Sequence, residues 1–306
     1  MKSIATLTLN PTIDVSYEVE SVFHTHKMRA LSEHYDPGGG GINVARVFIR
    51  LGGNARCYYL SGGATGVAFD GLVDLHQLAR TKVHIEGETR VATAVFDRQS
   101  GKEYRVIPPG PTVRPQEWQE CLDLMGEARC DFLVVSGSLP PGVPEDFYAR
   151  VAGIVASKGI KVVLDSSGAG LREGLAGGGF HLVKPSQGEL QQLAGRELDS
   201  DAAIEAAAMD IVTKGQAEIV AVTMGHRGGL LAQNSGAVRL AALPVEAKSA
   251  VGAGDSFLAA MVFGLASGES VEDACRFGMA AGAAAVITPG TGLAYPEDIR
   301  RLRAGA

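Results

Sequence analysis

The spacing of hydrophobic and polar positions changes along the chain, and the N-terminal segment shows two patterns. Residues 3–9 alternate as a half-buried strand does, and Asn10 and Pro11 then mark a turn. A run of glycines leads into residues 38–53, whose apolar positions predict an amphipathic helix that ends near Gly52. The pattern therefore predicts a strand, a turn and a glycine loop that opens a helix.

A small sheet is predicted outside the main hydrophobic pattern. Residues from about 12 to 36 alternate irregularly and carry many polar side chains, which indicates exposed strands. Residues 90–96 and 103–107 alternate around a short turn and predict a second pair of strands. We expect the two stretches, about 12–36 and 87–107, to form one small β-sheet.

From about residue 130 onward, continuous hydrophobic runs alternate with helical patterns, which predicts a parallel sheet buried on both faces. The predicted strands are 132–136, 161–165, 181–184 and 218–223, followed by a predicted hairpin of 230–232 and 238–243. The predicted helices are 145–157, 186–195, 201–214, 255–266, 271–287 and 297–303. No repeat or low-complexity linker interrupts this rhythm. The prediction is a single α/β domain over 1–306 that carries the small sheet.

Composition narrows the class of protein. The 306 residues are 46% hydrophobic and carry a net charge of −6, which disfavours nucleic acid as a partner because nucleic-acid-binding domains are basic. No apolar run is long enough to span a membrane, so we expect no membrane partner. The four cysteines are scattered and no signal-peptide pattern is visible, which predicts reduced thiols and a cytoplasmic location.

The most informative motif is VGAGDSF at residues 251–257. Three small residues, Gly252, Ala253 and Gly254, precede a predicted helix start with Asp255 in its first turn. A helix start offers unpaired N–H groups, and small residues let a phosphate approach them closely. A carboxylate there can accept the proton of an attacking hydroxyl, which is the outline of a kinase site. An ordinary glycine-rich helix cap has the same short pattern and remains an alternative.

Other nucleotide-binding motifs are absent from the sequence. Phe257 stands where a dinucleotide fingerprint needs its third glycine, and no G-x-x-x-x-G-K-[ST] occurs. In open parallel sheets, ligands bind beyond the carboxyl ends of the strands. Polar and glycine-rich signals fall at these predicted ends, namely at Asn10, Asp14, 136–142, Asp165, 184–189 and 223–229. We expect them to converge on one site.

GGGGINVAR at 38–46 and VGAGDSF at 251–257 together make the chain resemble the ribokinase-like carbohydrate kinases. The segments TLNPTID, SGSLPPG, LDSSG, LVKPSQGEL and VTMGHRGGL extend this resemblance over nearly the whole length. It implies a ribokinase-like α/β fold, with a mostly parallel central sheet flanked by helices. It also implies that the small β-sheet serves as a lid.

The resemblance implies a division of roles at the site. Asp255 would be the general base, and the backbone amides of Gly252, Ala253 and Gly254 would form an anion hole for the γ-phosphoryl group. The sugar hydroxyls would be bound by Asp14, Gly39 and Asn43. Without the motif, the first carboxylate could be a turn residue and the amide a helix cap.

A cluster of basic residues bears on the substrate. A sugar-phosphate clamp is implied for Lys27, Arg29, Arg90 and Arg105, with Ser138 as a further sugar contact. Guanidinium groups suit a phosphate dianion because they bind it through paired hydrogen bonds. Taken singly, each of these residues could be a solvated surface charge.

Nucleotide and metal sites are implied in the second half of the chain. The resemblance assigns ATP binding to Lys184, Ser186, Thr223, Gly225 and Gly228. It assigns Mg²⁺, held through water, to Asp165 and Glu189. A potassium site built from backbone carbonyls would involve Ser249, Val251, Ala285, Thr288 and Gly290.

Two departures from the family pattern stand out. The usual N-x-x-E motif is Ser186-Gln187-Gly188-Glu189 here, and serine lacks the second bonding group of an amide. Lys248 and Ser249 stand where many members have aspartate, which puts the dependence on potassium in doubt. Neither departure touches the assignment of Asp255.

The expected reaction is transfer of the γ-phosphoryl group of ATP to fructose 6-phosphate. Fructose 1-phosphate, tagatose 6-phosphate or an unphosphorylated ketose are alternative acceptors. A non-catalytic sugar-phosphate sensor and an NAD-dependent dehydrogenase are rival classes, which the intact VGAGDSF motif and the missing dinucleotide fingerprint disfavour.

Assembly is the last expectation from the sequence. The small sheet should expose one apolar face that another copy covers, giving a homodimer through the lid. That face should carry Val15, Tyr17, Val19, Val91, Ala94 and Phe96. Lys27 or Arg29 could then reach the neighbouring site.

Overall fold

The computed structural model describes residues 3–249, 251–288, 290 and 292–305. In chain order its strands are β1 (Ile4–Thr8), β2 (Thr12–Val19), β3 (Ser32–Gly38), β4 (Ala55–Ser61), β5 (Ala79–His84), β6 (Arg90–Asp97), β7 (Lys102–Val106), β8 (Phe132–Ser136), β9 (Lys161–Asp165), β10 (Phe180–Val183), β11 (Ala217–Thr223), β12 (Gly229–Gln233) and β13 (Gly236–Leu240). Its α-helices are α1 (Gly40–Arg50), α2 (Gly63–Leu75), α3 (Pro115–Glu127), α4 (Phe147–Ala156), α5 (Gly168–Gly177), α6 (Gln187–Ala194), α7 (Asp201–Thr213), α8 (Ala253–Ser267), α9 (Val271–Val286) and α10 (Pro296–Ala304).

A nine-stranded sheet forms the centre of the molecule, in the order β13-β12-β11-β10-β9-β8-β1-β4-β5. The strands from β11 to β5 in this order are parallel to their neighbours, and β12 and β13 add an antiparallel hairpin at one edge. The predicted fold class, a mostly parallel sheet flanked by helices, is confirmed.

Continuous hydrophobic strands arise because both faces of the sheet are covered. In β8, Leu133 and Val135 pack into the core that contains residues of α3 to α7. The alternate residues Phe132 and Val134 pack into the core that contains residues of α1, α2, α8 and α9. Burying each of these large side chains contributes about 1.5–3 kcal/mol, so a polar residue at any of them would be costly.

Five elements were not predicted from the hydrophobic pattern: β4, α2, β5, α3 and α5. Edge strand β5, with the sequence ARTKVH, buries only Val83 and therefore lacks the continuous apolar run of a central strand. Helix α3 buries only a narrow apolar stripe, so its pattern is weak as well.

A second sheet of four strands, in the order β3-β2-β6-β7, packs against the body of the molecule and is called the β lid below. Strands β2 and β6 are parallel, and the two outer strands are antiparallel to their neighbours. Residues 20–31 are an exposed loop between β2 and β3, so the polar stretch 12–36 contains two strands rather than a continuous ladder.

The apolar residues of the β lid do not all share one face, as the sequence had suggested. The register pairs Ile13 with Val91 and Val15 with Tyr35, which places these side chains on one face. The same register places Ala94 and Phe96 on the opposite face, with Ser16 and Glu18. The prediction failed because Val91 lies an odd number of positions from Ala94 and Phe96 in β6, and the two-residue period of a strand places such positions on opposite faces.

The parallel strands deliver polar residues to one edge of the large sheet. Ser136 and Asp165 end β8 and β9, Lys184 follows β10 directly, and Thr223 ends β11. Among the described residues, no helix combines the length and the hydrophobicity needed to cross a bilayer. This carboxyl edge, below the β lid, is therefore the expected place of the ligand-binding site.

Candidate active site

Asp255 lies in the first turn of α8, at the centre of the recess between the large sheet and the β lid. The Nδ2 of Asn43 in α1 donates a hydrogen bond of 2.9 Å to its Oδ2. Burial raises the pKa of Asp255 to about 6, and the nearby Asp165 adds to this effect, while Asn43 and Lys184 oppose it. Asp255 is therefore ionised at neutral pH but basic enough to take up a proton.

Lys184 brings a buried positive charge to the same place. Its side chain is 6% exposed, and its Nζ lies 3.0 Å from Oδ1 of Asp165. Burial opposes its charge, but the neighbouring carboxylates, Asp165 first, outweigh this and raise the pKa of Lys184. A Cβ on Gly254 would lie only 3.2 Å from Nζ, so the ammonium group stands against the start of α8. The helix amides and this cation together can stabilise a transferring phosphoryl group.

The glycine run at 38–41 is in close contact with polar side chains of the recess. A Cβ on Gly38 would lie 2.0 Å from Oδ2 of Asp14, and one on Gly40 would lie 2.1 Å from Oγ of Ser136. Gly39 is the N-cap of α1. Larger residues would displace these groups, which explains the run of glycines at this point in the sequence.

Asp14 in β2 faces the recess from the β lid. Burial raises the pKa of Asp14 to about 6, and the guanidinium groups of Arg46, Arg90 and Arg105 act in the opposite direction. The structure thus brings the predicted sugar-binding carboxylate within electrostatic reach of two of the predicted phosphate-clamp arginines, Arg90 and Arg105.

Arg90 is held in place by backbone carbonyls. Its NH2 and NH1 donate to the carbonyl oxygens of Asn10 at 2.8 Å and Pro108 at 3.1 Å. Asn10 in turn donates from Nδ2 to Oγ of Ser138 at 3.2 Å. Arg90 and Ser138 line one cavity of about 540 Å³. These contacts fix the guanidinium group and leave it facing a space that an anion can enter.

The remaining basic residues of the predicted clamp lie further out. Arg105 is exposed on β7, with Nε 3.8 Å from Oε1 of Glu103. Lys27 and Arg29 lie in the exposed loop 20–31. Within a single chain, Arg90 therefore lines the cavity and Arg105 lies on the neighbouring strand. Lys27 and Arg29 remain in the exposed loop.

A separate cavity of about 720 Å³ lies beside the start of α8. Three of the predicted ATP-binding residues line it: Thr223, Gly225 and Gly228. Much of the remaining lining is apolar, including Leu243, Phe257 and Val286, which suits a flat aromatic base. Gly254 and Ala253 also line it, so this cavity reaches the predicted anion hole.

Ser186 and Glu189 form a capping box at the start of α6. Oε2 of Glu189 accepts hydrogen bonds from the backbone N and the Oγ of Ser186, at 2.7 and 2.8 Å. This arrangement orients Glu189 toward the site, where it contributes to the raised pKa of Lys184. The serine that replaces the usual asparagine therefore keeps a helix-capping role.

The side chains around the predicted Mg²⁺ residues, Asp165 and Glu189, limit the kind of cation that can bind there. Asp165 is engaged by Lys184 and by Ser136 Oγ at 3.3 Å, and no group of three His, Cys, Asp or Glu side chains able to hold a metal occurs in the described part of the chain. A cation that needs several protein ligands does not fit. Mg²⁺, which keeps most of its waters and shares nucleotide phosphates, fits a site with two carboxylates.

Two loops meet where the potassium site was predicted. The backbone N of Lys248 and of Ser249 both donate to the carbonyl of Val286, at 2.8 and 3.1 Å. Val251 N donates to Oγ of Ser249 at 3.2 Å, and Thr288 N donates to the Ala285 carbonyl at 3.0 Å. Gly290 lies further along the second loop. The loops are therefore adjacent, and several of the backbone groups are used within the protein.

Three residues of the site were given no role from the sequence: Asn10, Arg46 and Ser136. Asn10 was visible only as a polar residue at a strand end, and its contacts to Ser138 and Arg90 depend on segments more than a hundred residues and about eighty residues away. Arg46 lies within the GGGGINVAR motif, where a charged helical residue is normally expected to face solvent.

A family model described as pfkB family carbohydrate kinase matches residues 3–298 of this chain. The resemblance found in the sequence is thereby confirmed.

Curated relatives match over nearly the full length. ATP-dependent 6-phosphofructokinase isozyme 2 from Mycobacterium tuberculosis is 40% identical over 300 residues, covering 97% of this chain and 88% of the relative. The protein of the same name from Escherichia coli is 37% identical, covering 99% of both chains. Tagatose-6-phosphate kinase from Staphylococcus epidermidis is 30% identical, covering 90% of this chain and 91% of that one.

Solved structures agree with the fold described above. Phosphofructokinase-2 from Escherichia coli in complex with potassium superposes with a TM-score of 0.95 at 37% identity, covering 100% of this chain and 99% of that one. The same protein in complex with fructose-6-phosphate gives 0.93 at 36% identity, and its tetrameric inhibited form gives 0.92 at 36% identity, with the same coverage.

Proposed function

The chain belongs to the pfkB family of carbohydrate kinases, and we propose that it is an ATP-dependent 6-phosphofructokinase. The observation that carries the proposal is the position of Arg90, which faces a cavity and acts electrostatically on Asp14 in the recess that holds Asp255. An acceptor bound there would place a phosphate at the arginine and a hydroxyl at the base. The relatives with the highest identity given above carry the same activity in their names.

Proton transfer in this proposal belongs to Asp255. Its carboxylate accepts the proton of the C1 hydroxyl of fructose 6-phosphate as that oxygen attacks the γ-phosphorus of ATP. The raised pKa, about 6, matches the task because the carboxylate is ionised at neutral pH yet retains proton affinity. The hydroxyl oxygen forms the new bond to phosphorus, and the oxygen that bridges to ADP leaves with the electron pair.

Charge on the transferring group is stabilised by the start of α8 and by Lys184. The amides of Gly252, Ala253 and Gly254 point at the phosphoryl group because the first N–H groups of a helix have no partner within it. Lys184 adds a cation that the structure keeps buried and paired with Asp165. Preorganised donors of this kind need little rearrangement during the reaction.

Acceptor binding in this proposal divides into a sugar end and a phosphate end. Asp14, Asn43 and the Gly39 backbone bind sugar hydroxyls. Arg90 and Arg105 bind the 6-phosphate, and Ser138 adds a further sugar contact. The alternatives, fructose 1-phosphate and tagatose 6-phosphate, use the same two ends and differ in which hydroxyl is presented to Asp255. The relative that acts on tagatose 6-phosphate is less similar to this chain, at 30% identity.

The nucleotide occupies the apolar cavity lined by Thr223, Gly225 and Gly228, with Lys184 and Ser186 toward its phosphates. Asp165 and Glu189 would hold Mg²⁺ through water, and the ion would neutralise charge on the β- and γ-phosphates. Potassium would bind at the carbonyls of the two adjacent loops, near Ser249, Val251, Ala285, Thr288 and Gly290. The homologous structure in complex with potassium supports binding of this ion, and Lys248 beside the proposed position predicts a weaker dependence on it.

Assembly completes the proposal. The β lid exposes Tyr35, Val91, Tyr104 and Val106 on one face, and a second copy packed against that face would form a homodimer. Lys27 and Arg29 would then extend toward the neighbouring site. We place the enzyme in the cytoplasm, because the free thiols of its four cysteines suit a reducing compartment.

The test is ATP consumption measured across a panel of acceptors. Fructose 6-phosphate should give the highest kcat/KM, ahead of fructose 1-phosphate, tagatose 6-phosphate and fructose. A preference for another phosphorylated ketose would move the chain to a sister activity. No turnover with any acceptor, together with tight binding of a sugar phosphate, would support the sensor instead.

A further inference from the structure

Arg46 is a buried guanidinium group that the reaction described above does not use. The residue is 4% exposed, and its Nε has no hydrogen-bond partner among the described residues. Burying a charged group with an unsatisfied donor is unfavourable, and burial lowers the pKa of Arg46 accordingly. A fold that places an arginine here gains something specific from its remaining contacts.

Two of those contacts reach the β lid. The NH2 of Arg46 lies 2.5 Å from Oδ1 of Asp36, and its NH1 donates to the carbonyl of Pro37 at 3.1 Å. Both partners belong to β3, in which Asp36 pairs across the ladder with Asp14. Asp36 Oδ1 also lies 3.4 Å from Nε2 of His76, so the lid end of the contact is anchored on α2 as well. Arg46 therefore ties α1 to the strand beside Asp14.

The third contact reaches toward the catalytic base. NH1 of Arg46 donates to Oδ1 of Asn43 at 3.4 Å, and the Nδ2 of the same amide donates to Asp255 at 2.9 Å. The two ends of an amide differ, because one accepts hydrogen bonds and the other donates them. A cation at the oxygen and a carboxylate at the nitrogen favour one of the two amide orientations. The reversed amide would place its oxygen against the Asp255 carboxylate.

We propose that Arg46 is a positioning residue, which holds the Asn43 amide in the orientation that supports Asp255 and couples this orientation to the seating of the β lid. The proposal rests on the function proposed above, since it assigns Arg46 to the same reaction. When β3 lies against α1, Arg46 is fixed by Asp36 and Pro37, and Asn43 donates to the base. When the strand moves away, Arg46 loses two of its three partners and the amide is free to turn.

A double-mutant cycle tests whether Arg46 acts through Asn43. Arg46→Lys keeps the charge but replaces the planar fork by a single ammonium, which cannot bridge Asp36, Pro37 and Asn43 together. We expect Arg46→Lys to lower kcat about tenfold, the scale of a lost charge-assisted hydrogen bond. In an Asn43→Ala background the same substitution should change kcat by less than about twofold, because the residue it positions is gone. Equal losses in both backgrounds would overturn the proposal.

Arg50→Lys is the matched control. Arg50 lies one turn further along α1, and its NH1 donates to the Leu293 and Ala294 carbonyls rather than to Asn43. It should keep kcat within about twofold in both backgrounds. If Arg46→Lys does not fold, as judged by circular dichroism, Asp36→Asn replaces it in the cycle, since it removes the ion pair between Arg46 and the lid without changing α1. A wild-type kcat in Arg46→Lys or in Asp36→Asn would count against the proposal.

A second measurement is independent of turnover. The ¹H–¹⁵N resonances of the Asn43 side-chain amide report its hydrogen bonds directly, and they should shift or broaden in Arg46→Lys but not in Arg50→Lys. If the unmodified chain uses another phosphorylated ketose, the cycle is run with that acceptor, and only the assigned substrate is wrong. If it shows no kinase activity, the proposed function fails, and unchanged Asn43 resonances in Arg46→Lys would separately reject the positioning role.

Discussion

The two sides of the recess differ in how completely one chain builds them. On the body side, Asp255, Lys184 and Asp165 are carried by a helix start and by strand ends, and each is paired or hydrogen-bonded. On the lid side, Arg105 is exposed on an outer strand, and Lys27 lies in a solvent-exposed loop. The groups proposed for phosphoryl transfer are thus assembled within the chain, whereas the proposed recognition of the acceptor phosphate depends on the lid.

The physical reason lies in the support of each side. The body side rests on a sheet buried by helices on both faces, so its strand ends are fixed by the main cores. The β lid has four strands, of which β7 is exposed along its whole length. A small sheet of this kind is only marginally stable without a covering surface. The proposed specificity for the acceptor therefore rests on the part of the molecule that a partner copy or a substrate can order.

The largest expected effect concerns the lid side. Fructose 6-phosphate should exceed fructose in kcat/KM by more than about 10³-fold, the scale of losing several charged hydrogen bonds. Arg90→Ala should reduce this ratio sharply, because it removes the one clamp residue fixed within a single chain. Kinetics with both sugars measure it. Arg98→Ala, which removes an exposed lid arginine paired with Glu18, should leave the ratio unchanged. Equal use of both sugars by the unmodified enzyme would refute the clamp.

The next effect concerns the body side. Asp255→Asn should lower kcat by at least about 10²-fold, since an amide cannot accept the proton of the acceptor hydroxyl. Binding of fructose 6-phosphate, followed by calorimetry, should persist because the lid side is intact. Asp273→Asn removes a carboxylate from the first turn of α9, where it is exposed, and serves as the control. A near-normal kcat in the first variant would mean that another group is the base.

The body side was also the more predictable side from the sequence. VGAGDSF and the residues at strand ends are local patterns, because a parallel sheet brings the ends of its strands together whatever lies between them. The contact between Asn43 and Asp255 spans 212 positions, and the motifs indicated its two members but not the bond. The spacing of apolar runs was enough to predict β1 and β8 to β11 of the large sheet, but it missed β4 and β5.

The lid side was less predictable because its geometry depends on contacts between segments that are distant in the sequence. Its faces depend on which strand neighbours which, and β2 pairs in parallel with β6, more than seventy positions away. The two-residue period of β6 already places Val91 and Phe96 on opposite faces, but a single strand could not show which residues of β2 share each face. The buried Arg46 was missed because its partner Asp36 belongs to the lid, and a charge on a helix gives no local sign of burial.

The exposed apolar face of the β lid is the proposed assembly surface. Val91→Asp places a charge on the exposed apolar face, and a two-fold interface would contain it twice. The dimer dissociation constant should rise by about 10²-fold, and activity should fall in parallel. Sedimentation and activity are measured across the same dilution series. Ile154→Asp is the control, because Ile154 is equally exposed, at 36%, but lies on α4. A fully active monomer would show that the lid works within one chain.

The smallest expected effect is on the free energy of unfolding, and its pH dependence reports on Asp255, which belongs to the body side. The pKa of Asp255 is about 6 in the folded chain against an ordinary value of 3.8, so the folded chain holds this proton more tightly than the unfolded chain does. The stabilisation from that proton is fully present below pH 3.8 and is lost as the pH rises through about 6.

Asparagine carries no such proton and no charge to bury. Asp255→Asn should therefore be more stable than the unmodified enzyme at pH 8, by about 1–2 kcal/mol, because partial solvent contact reduces the full cost of the shift. The gain should vanish near pH 4, and the raised pKa of Asp14 cancels from the difference because both proteins retain it. Urea unfolding at the two pH values measures it, and a variant that is less stable at pH 8 would show that the Asp255 carboxylate contributes more through its hydrogen bond to Asn43 than its burial costs.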